Sequence, residues 1–524
     1  MVDSGKPILI FRASDFRLPR WIFLLKISYN TDIIRLLHKK SMNINIKSIK
    51  GEDCACDALI FLFPENGPEG TKKLPKVIAP LIQKVFSKEF SGKQNEVFLM
   101  RAPDTVKPER LLLVGLGKRE QISAEKIRQA GGKAATYLRD MGMKKAALST
   151  DFLSELKMSP AEFIEGALLG LYTYKKYKKN GNNKALVNIT VLADRTLELS
   201  DRIKQAEALT TAVCFARDLV NAPGNDMTPT HLAKAASSLR TKRLSVKVLD
   251  KNDVRKLGMG AFLSVAKGSS EEPRFIILDY KGAKGDPVVL IGKAITFDSG
   301  GLSIKPSDGM EKMKYDMAGG AAVLGVMKAA EALRMPVHLI GLLPATENLP
   351  GGSATKPGDV VRSLGGKTIE IINTDAEGRL VVADAIEYAK RLKPRAIIDI
   401  ATLTGACSVA FGNEAVAMMG NDRKLLDVLK KSGEKTYERV WEMPLFEEYD
   451  EYLKSDIADV KNIGGRNGGL VTAAYFLYKF AGDSPWVHLD IAGTAWTEKD
   501  KPYMPKGASG IGTRLIFNAI KELQ

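Results

Sequence analysis

Residues 373–380 read Asn-Thr-Asp-Ala-Glu-Gly-Arg-Leu and place Asp375, Glu377 and Arg379 at alternate positions. An extended backbone there would project all three side chains to one side. They fall where an apolar run, Thr368–Ile372, gives way to a helical pattern, Leu380–Leu392. Two acids and a cation at the end of a buried strand are costly to desolvate unless they bind something. A second charged set, Lys293, Asp298, Lys305 and Asp316, occupies another strand-to-helix connection. Taken singly, each acid has an ordinary role. Asp316 would cap a helix over Met317–Arg334, Glu377 would favour a helix dipole, and Asp298 would be a turn aspartate in Phe297-Asp-Ser-Gly-Gly301. Jointly these roles fail, because caps and turns do not account for two lysines beside so much acid at strand ends.

A divalent metal pair accounts for the set. Asp298, Asp316, Asp375 and Glu377 supply four negative charges, enough to balance two divalent cations. The histidines (His38, His231, His338, His488) are dispersed, so a histidine-rich zinc site is not expected. Oxygen-dominated coordination suits manganese or magnesium, and zinc becomes suitable if an amine joins the ligands. Lys293 is the candidate amine, since a neighbouring dication favours the neutral form of a ligating lysine. Paired metals about 3.5–4 Å apart activate water for hydrolysis. Both peptide and phosphate-ester substrates are open to such a centre, so a metal-dependent phosphoesterase is an alternative.

The elements that position these residues are those of two α/β domains. Asn43–Lys47, Ala58–Phe63, Glu96–Met100, Leu111–Val114 and Val187–Leu192 read as strands, with a helix over Ala124–Met141. This gives a smaller N-terminal α/β domain over residues 42–195. Glu198–Val220 reads as a connecting helix within 196–222, before Asn221-Ala-Pro-Gly224. The larger catalytic α/β domain spans 196–524. Its apolar runs are Phe275–Leu278, Val288–Ile291, Val337–Leu343, Thr368–Ile372, Ala396–Ile400 and Trp486–Ile491. Helical patterns between them predict a central mixed sheet covered by helices on both faces. Lys293, Asp375, Glu377 and the Thr402–Gly405 segment all follow strands of that expected sheet, at the carboxyl edge where open α/β sheets bind ligands.

At 524 residues the chain exceeds one ordinary core. It is 45% hydrophobic and 27% charged, as globular proteins are. No uninterrupted apolar run reaches about 18 residues, so no membrane span is expected. Trp21–Leu25 is followed by Lys26 and no cleavage site, which argues against a secretory signal. Four scattered cysteines (Cys54, Cys56, Cys214, Cys407) suit reduced thiols in the cytoplasm. Residues 1–41 do not resemble the start of a domain and read as an extension, disordered or created by a start assigned too early. The net charge of +17 is concentrated early: 8 basic and 3 acidic residues in 1–41, and 26 against 18 in 42–200. The cluster Lys175-Lys-Tyr-Lys-Lys179 is the densest. A solvated lysine-rich surface accounts for this; nucleic-acid binding through counterion release, a DNA-binding regulatory role, is the other reading.

Val288–Gly301, Met313–Gly320 and Asn373–Leu380 closely resemble signature segments of the leucyl aminopeptidase family, the cytosolic two-metal peptidases. The likeness continues through Ala216–Asn221, Thr228-Pro229, Lys356–Asp359, Ala401–Ala406, Asp459–Gly469, His488–Thr494 and Gly507–Arg514. It covers residues 210–515 and, more weakly, 42–200. The resemblance implies that Asp298 and Glu377 bridge both metals. Asp375 would complete the more exchangeable site, and Lys293 with Asp316 the tighter one. Lys305 would stabilise the oxyanion, and Arg379 would hold a bicarbonate ion as general base. One metal would accept the substrate's free α-amine, and Thr402, Leu403 and Gly405 would line the pocket for the first side chain. The resemblance further implies release of N-terminal residues, leucine preferentially, from peptides by a homo-hexamer with enclosed active sites.

Two nucleotide motifs fail. Gly365-Gly-Lys-Thr368 would need glycine at position 361, where Val361 stands. Gly115-Leu-Gly117 is followed by Glu120 where a dinucleotide fingerprint needs glycine. Cys54-Ala-Cys56 lacks the spacing of a zinc knuckle. The departures from the family are the 1–41 extension, the pI of about 9.4 and Ser509 in Gly507–Gly510, and none touches an expected ligand.

Overall fold

Ala58–Phe63 is apolar at every position and buried at every position, the pattern of a strand covered on both faces. The computed structural model describes residues 42–65, 67, 74–86, 88–178 and 185–524, and within Met42–Gln524 the chain packs as one unit. The extension read at 1–41 and Lys179 of the basic cluster lie outside the described residues. Among those described, six strands form the first sheet: β1 (Asn43–Lys47), β2 (Ala58–Phe63), β3 (Val97–Arg101), β4 (Arg110–Gly115), β5 (Lys145–Ser149) and β6 (Asn188–Leu192). Their order is β1-β6-β5-β2-β4-β3. All pair in parallel except β3, which runs antiparallel to β4 at one edge. β1, at the other edge, alternates exposed and half-buried residues, as its Asn-Ile-Asn-Ile-Lys pattern requires. Helix α1 (Ala124–Asp140), capped by Ser123, and α2 (Ala161–Gly170) pack together on this layer.

The long helix α3 (Leu197–Asn221), capped by Thr196, joins this layer to the second. Arg217 on it is fully buried and donates to three carbonyls: Ser509 and Leu169 at 3.0 Å and Tyr503 at 3.4 Å. A buried guanidinium is tolerated because each edge of its fork meets an acceptor. Glu165 of α2 pairs with Arg514 at 2.8 Å, which also pairs with Glu438 at 3.0 Å.

The second sheet contains β7 (Leu244–Leu249), β8 (Arg274–Lys281), β9 (Val288–Gly292), β10 (Ala294–Asp298) and β11 (His338–Asn348). A separate small sheet is built from β12 (Val360–Arg362), β13 (Thr368–Glu370) and β17 (Val460–Lys461). β14 (Ala396–Ala401), β15 (Val416–Gly420), β16 (Val440–Glu442) and β18 (Trp486–Asp490) complete the large one. Its order is β16-β15-β18-β14-β9-β11-β8-β7, with β10 continuing beside β11. The centre (β18, β14, β9, β11, β10) is parallel, and β8, β7 and β15 introduce antiparallel pairs. The expected mixed sheet is therefore present. Helices α4 (Ala318–Ala332) and α5 (Gly378–Lys390) lie against it from opposite sides, α4 beside α3 and α7 (Thr513–Glu522), and α5 beside α6 (Gly469–Ala481). Among the described residues no helix is long and apolar enough to cross a membrane.

One expectation is corrected. Thr368–Ile372 is not a strand of the large sheet. Its polar Thr368 and Glu370 flank buried Ile369, a half-buried pattern suited to a small peripheral sheet. It forms a hairpin with β12 through the turn at Gly365-Gly366, where Gly366 has φ +96°, so the glycine pair serves a turn. The large sheet instead gains β7, β10, β15 and β16, which lie outside the longer apolar runs.

Candidate metal centre

Five parallel strands end at one edge of the large sheet, and polar residues stand at those ends: Lys293 after β9, Asp298 on β10, Asn348 on β11, Thr402 after β14 and Asp490 on β18. Asp316 comes from the 3-10 helix Met310–Met317 that enters α4, Asp375 and Glu377 from the turn that enters α5, and Arg379 from the first turn of α5 itself. The octapeptide is not extended there, contrary to the expectation from its alternating pattern. Asn373 Oδ1 accepts from the Asp375 N–H at 2.8 Å, and Asn462 binds this segment from outside, accepting from Ile372 N at 2.8 Å and donating to Asn373 O at 2.7 Å. Glu377 already has helical backbone angles. Turn and helix, not alternation, bring its acids together.

Lys293, 3% exposed, lies 2.8 Å from both Asp316 Oδ2 and Glu377 Oε1, and donates to Thr402 O at 2.9 Å. Burial opposes its charge, but Asp316, Glu377 and Asp298 outweigh that and hold the ammonium well above the usual lysine range. A Cβ on Gly378 would stand 2.6 Å from Lys293 Nζ, so that glycine leaves the lysine its path. Lys305 lies 2.9 Å from Asp298 Oδ2 and 2.5 Å from Asp375 Oδ1, and its pKa too is raised by these acids against burial. Burial pushes the Asp316 and Glu377 carboxyls up, as it does Asp375, where Asp298 adds repulsion.

Asp298, Asp375 and Glu377 each present an oxygen within 4.8 Å of the others. Asp316 stands apart from that trio and is joined to Glu377 through Lys293. The structure thus brings together all of Lys293, Asp298, Lys305, Asp316, Asp375 and Glu377. Asp316 caps no helix, which disposes of its ordinary role. Asp298 does accept from Gly300 N at 2.9 Å, so one of its oxygens is the turn aspartate while the other faces Lys305.

The donor set fits divalent cations. Four carboxylates face two ammonium groups, leaving excess negative charge in a buried crevice. Asp316 Oδ2 and Glu377 Oε1 are buried against Lys293 Nζ and Asp375 Oδ1 against Lys305 Nζ, each acid oxygen met by an ammonium group and, among the described residues, by no other donor. Acceptors left in that condition suit cation ligation.

Arg379 is buried beside Glu377. Its Nη1 donates to Asn462 O at 2.7 Å, while Nε has no partner among the described residues; burial lowers its pKa to about 10. Thr402 turns its hydroxyl to Asp316 Oδ1 at 2.7 Å. Leu403 N donates to Asp490 Oδ1 at 3.1 Å, and Gly405 is exposed with open space beside it. A cavity of about 450 Å³ opens from Lys305 and Asp375 past Met313 and Ala492 to Tyr315 and Trp496.

Three supporting residues lie outside the set that residue type and spacing single out. Asn348 donates to Asp298 Oδ1 at 2.8 Å and to Thr374 O at 3.0 Å. Asn462 holds the turn described above. Asp490, fully buried, accepts from Leu403 N and the Thr404 hydroxyl and so shapes the loop after β14. The polar end of the otherwise apolar strand at Thr346-Glu-Asn348 is the available signal for the first.

The catalytic-domain pattern of the cytosol aminopeptidase family matches residues 214–517, and that family's N-terminal-domain pattern matches 60–181. A protein of Geobacter sp. (strain M21) named as a probable cytosol aminopeptidase is 50% identical over 442 residues, covering 83% of this chain and 90% of its own. The bottromycin maturation enzyme BotP, solved in complex with Mn, shares 31% identity with a TM-score of 0.80, over 90% of this chain and 100% of that one. A mutant of tomato leucine aminopeptidase aligns with a TM-score of 0.81 at 32% identity, over 92% and 97%. With acids, lysines and sheet edge in this arrangement, the chain belongs to the cytosol aminopeptidase family, metal-dependent hydrolases that remove residues from the amino end of peptides.

Proposed function

We propose that the protein is a leucyl aminopeptidase that holds two divalent cations per subunit on Lys293, Asp298, Asp316, Asp375 and Glu377. The observation that carries this is the cluster of carboxylate oxygens gathered around two ammonium groups at the carboxyl edge of the sheet. In this reading Asp298 and Glu377 would contribute to holding both cations. Asp375, its side chain 32% exposed, serves the exchangeable site, and buried Lys293 and Asp316 the tighter one. Ligation requires Lys293 to give up its proton as a cation takes over the compensation of Asp316 and Glu377. Divalent cations held by these residues would supply Lewis acidity for hydrolysis of the peptide bond. Manganese is the preferred metal, supported by the manganese complex of BotP; magnesium and zinc are the alternatives.

Lys305, partly exposed at the cavity wall and kept protonated by its acids, donates to the oxyanion. Arg379 offers its unpartnered Nε–H to bicarbonate, which acts as general base. Thr402, Leu403 and Gly405 border the first side chain, Thr402 also orienting Asp316. Residues 42–195 and 196–524 are the two domains, and the working form is a cytoplasmic homo-hexamer acting on short peptides. Incubating the purified protein with leucyl peptide, bis-phosphoester and manganese, with and without chelator, tests the reading. Chelator-sensitive release of leucine is expected; cleavage of the phosphoester alone would establish the phosphoesterase instead. The early basic surplus supports nucleic acid as a second partner, and failure to retard DNA at low ionic strength would exclude it.

A further inference from the structure

Two cavities share a wall. The first, of about 450 Å³, begins at Lys305 and Asp375; the second, of about 140 Å³, lies between Glu125 and Gln129 of α1 and the residues Tyr437 and Tyr503. Trp496 and Asn413 line both. The Trp496 indole stacks on Tyr315, their ring centroids 6.1 Å apart at 27°, and Lys314 Nζ stands 5.6 Å from its centroid. Behind it, residue 496 pairs with Ala508 in a short antiparallel ladder. The ring is therefore held by Tyr315 and Lys314 and its backbone by the ladder, and the indole's large area makes it an effective partition.

We infer that the cavity beginning at Lys305 and Asp375 receives the substrate's first side chain beyond the border proposed for Thr402, Leu403 and Gly405, that the Trp496 indole sets its depth, and that the second cavity is the space a larger side chain would enter without it. This rests on the aminopeptidase reading. Aromatic side chains are the class the extension would admit. Its walls include Tyr437, Tyr503 and Ile511. Its carboxylates are already engaged: Glu125 by Arg128 at 2.6 Å, Glu438 by Arg514 at 3.0 Å and Glu414 by Arg439 at 3.2 Å. A cationic side chain would find no free acid there, whereas a flat apolar ring would find matching surface.

The test compares kcat/KM for tryptophanyl and leucyl amides, with one leaving group, across wild type, Trp496→Ala and Trp496→Phe. In Trp496→Ala the tryptophanyl-to-leucyl ratio should rise about tenfold, chiefly through KM, the scale of pocket-size discrimination. Trp496→Phe keeps a ring against Tyr315 and should move the ratio less than about threefold, with Trp496→Leu between the two. Should the alanine variant fail to fold, the leucine variant carries the same comparison. A ratio indifferent to residue 496 in an active enzyme overturns this inference alone. A wild type that releases no amino acid from either amide overturns the aminopeptidase reading, and this inference with it.

Discussion

The Thr402 hydroxyl donates to Asp316 Oδ1 at 2.7 Å, at the point where β14 gives way to its loop. Asp316 Oδ2 faces Lys293, so one oxygen is held while the other is available. Residues that orient a ligand in this way typically contribute 10–100-fold in metal affinity. Thr402→Val should accordingly weaken metal binding by about 10–100-fold, read by calorimetric titration of the metal-free protein. Thr402→Ser should restore most of it, because the hydroxyl survives; equal losses in both would assign Thr402 a packing role.

Glu377 stands between the two halves of the cluster, within reach of Asp298 and Asp375 on one side and of Lys293 on the other. Glu377→Ala should cut turnover by at least about a hundredfold, judged against the smaller losses from residues that only orient ligands. Lys293 keeps Asp316 at 2.8 Å, so the fold should persist with an unchanged circular dichroism spectrum. Full activity in a folded variant would contradict the site.

Lys305 contacts two acids and also borders the cavity, a position from which an ammonium can meet developing negative charge. Lys305→Ala should lower kcat by about 10²–10³-fold with a smaller change in KM. Metal stoichiometry by elemental analysis should stay at the wild-type value. Loss of metal with proportional loss of rate would make Lys305 a support for Asp298 and Asp375 instead.

Residue types at the site are legible in the sequence because little besides ligand binding offsets the cost of burying so many charges. Local conformation is less so. Asn373–Glu377 reads as extended when only neighbours are considered, yet Asn462, 89 positions from Asn373, turns it through hydrogen bonds. Likewise Thr368–Glu370 has strand character, but which sheet it joins depends on pairing with Val460-Lys461. β7 carries its own signal, since Leu244, Val246 and Val248 alternate with Ser245 and Lys247, but the run is less apolar than those at the sheet's centre. Asp490 cannot be found by type alone, since its partners are its neighbour Ala492 N–H and, on a loop after another strand, the Leu403 N–H and the Thr404 hydroxyl.

Asp384, fully buried on α5, ties two distant segments to the helix by accepting from Phe262 N at 2.8 Å and Leu364 N at 2.7 Å. Burial pushes its carboxyl up to about 7, against the pull of those two donors. An unfolded aspartate releases its proton near pH 3.9, about three units earlier. Between those values the folded protein holds the extra proton, so this group's contribution to stability is fully present below about pH 4 and falls as pH rises towards 7. Asp384→Asn does not titrate, but it sets an amide NH2 against one of the two N–H donors and so is less stable at pH 5 by about 1–3 kcal/mol. Thermal melts from pH 5 to 8 should show wild type losing ground to Asp384→Asn as pH rises, the gap between their midpoints narrowing through pH 7. A gap constant over that range would mean that the two N–H donors keep Asp384 ionised throughout and that burial is the weaker influence.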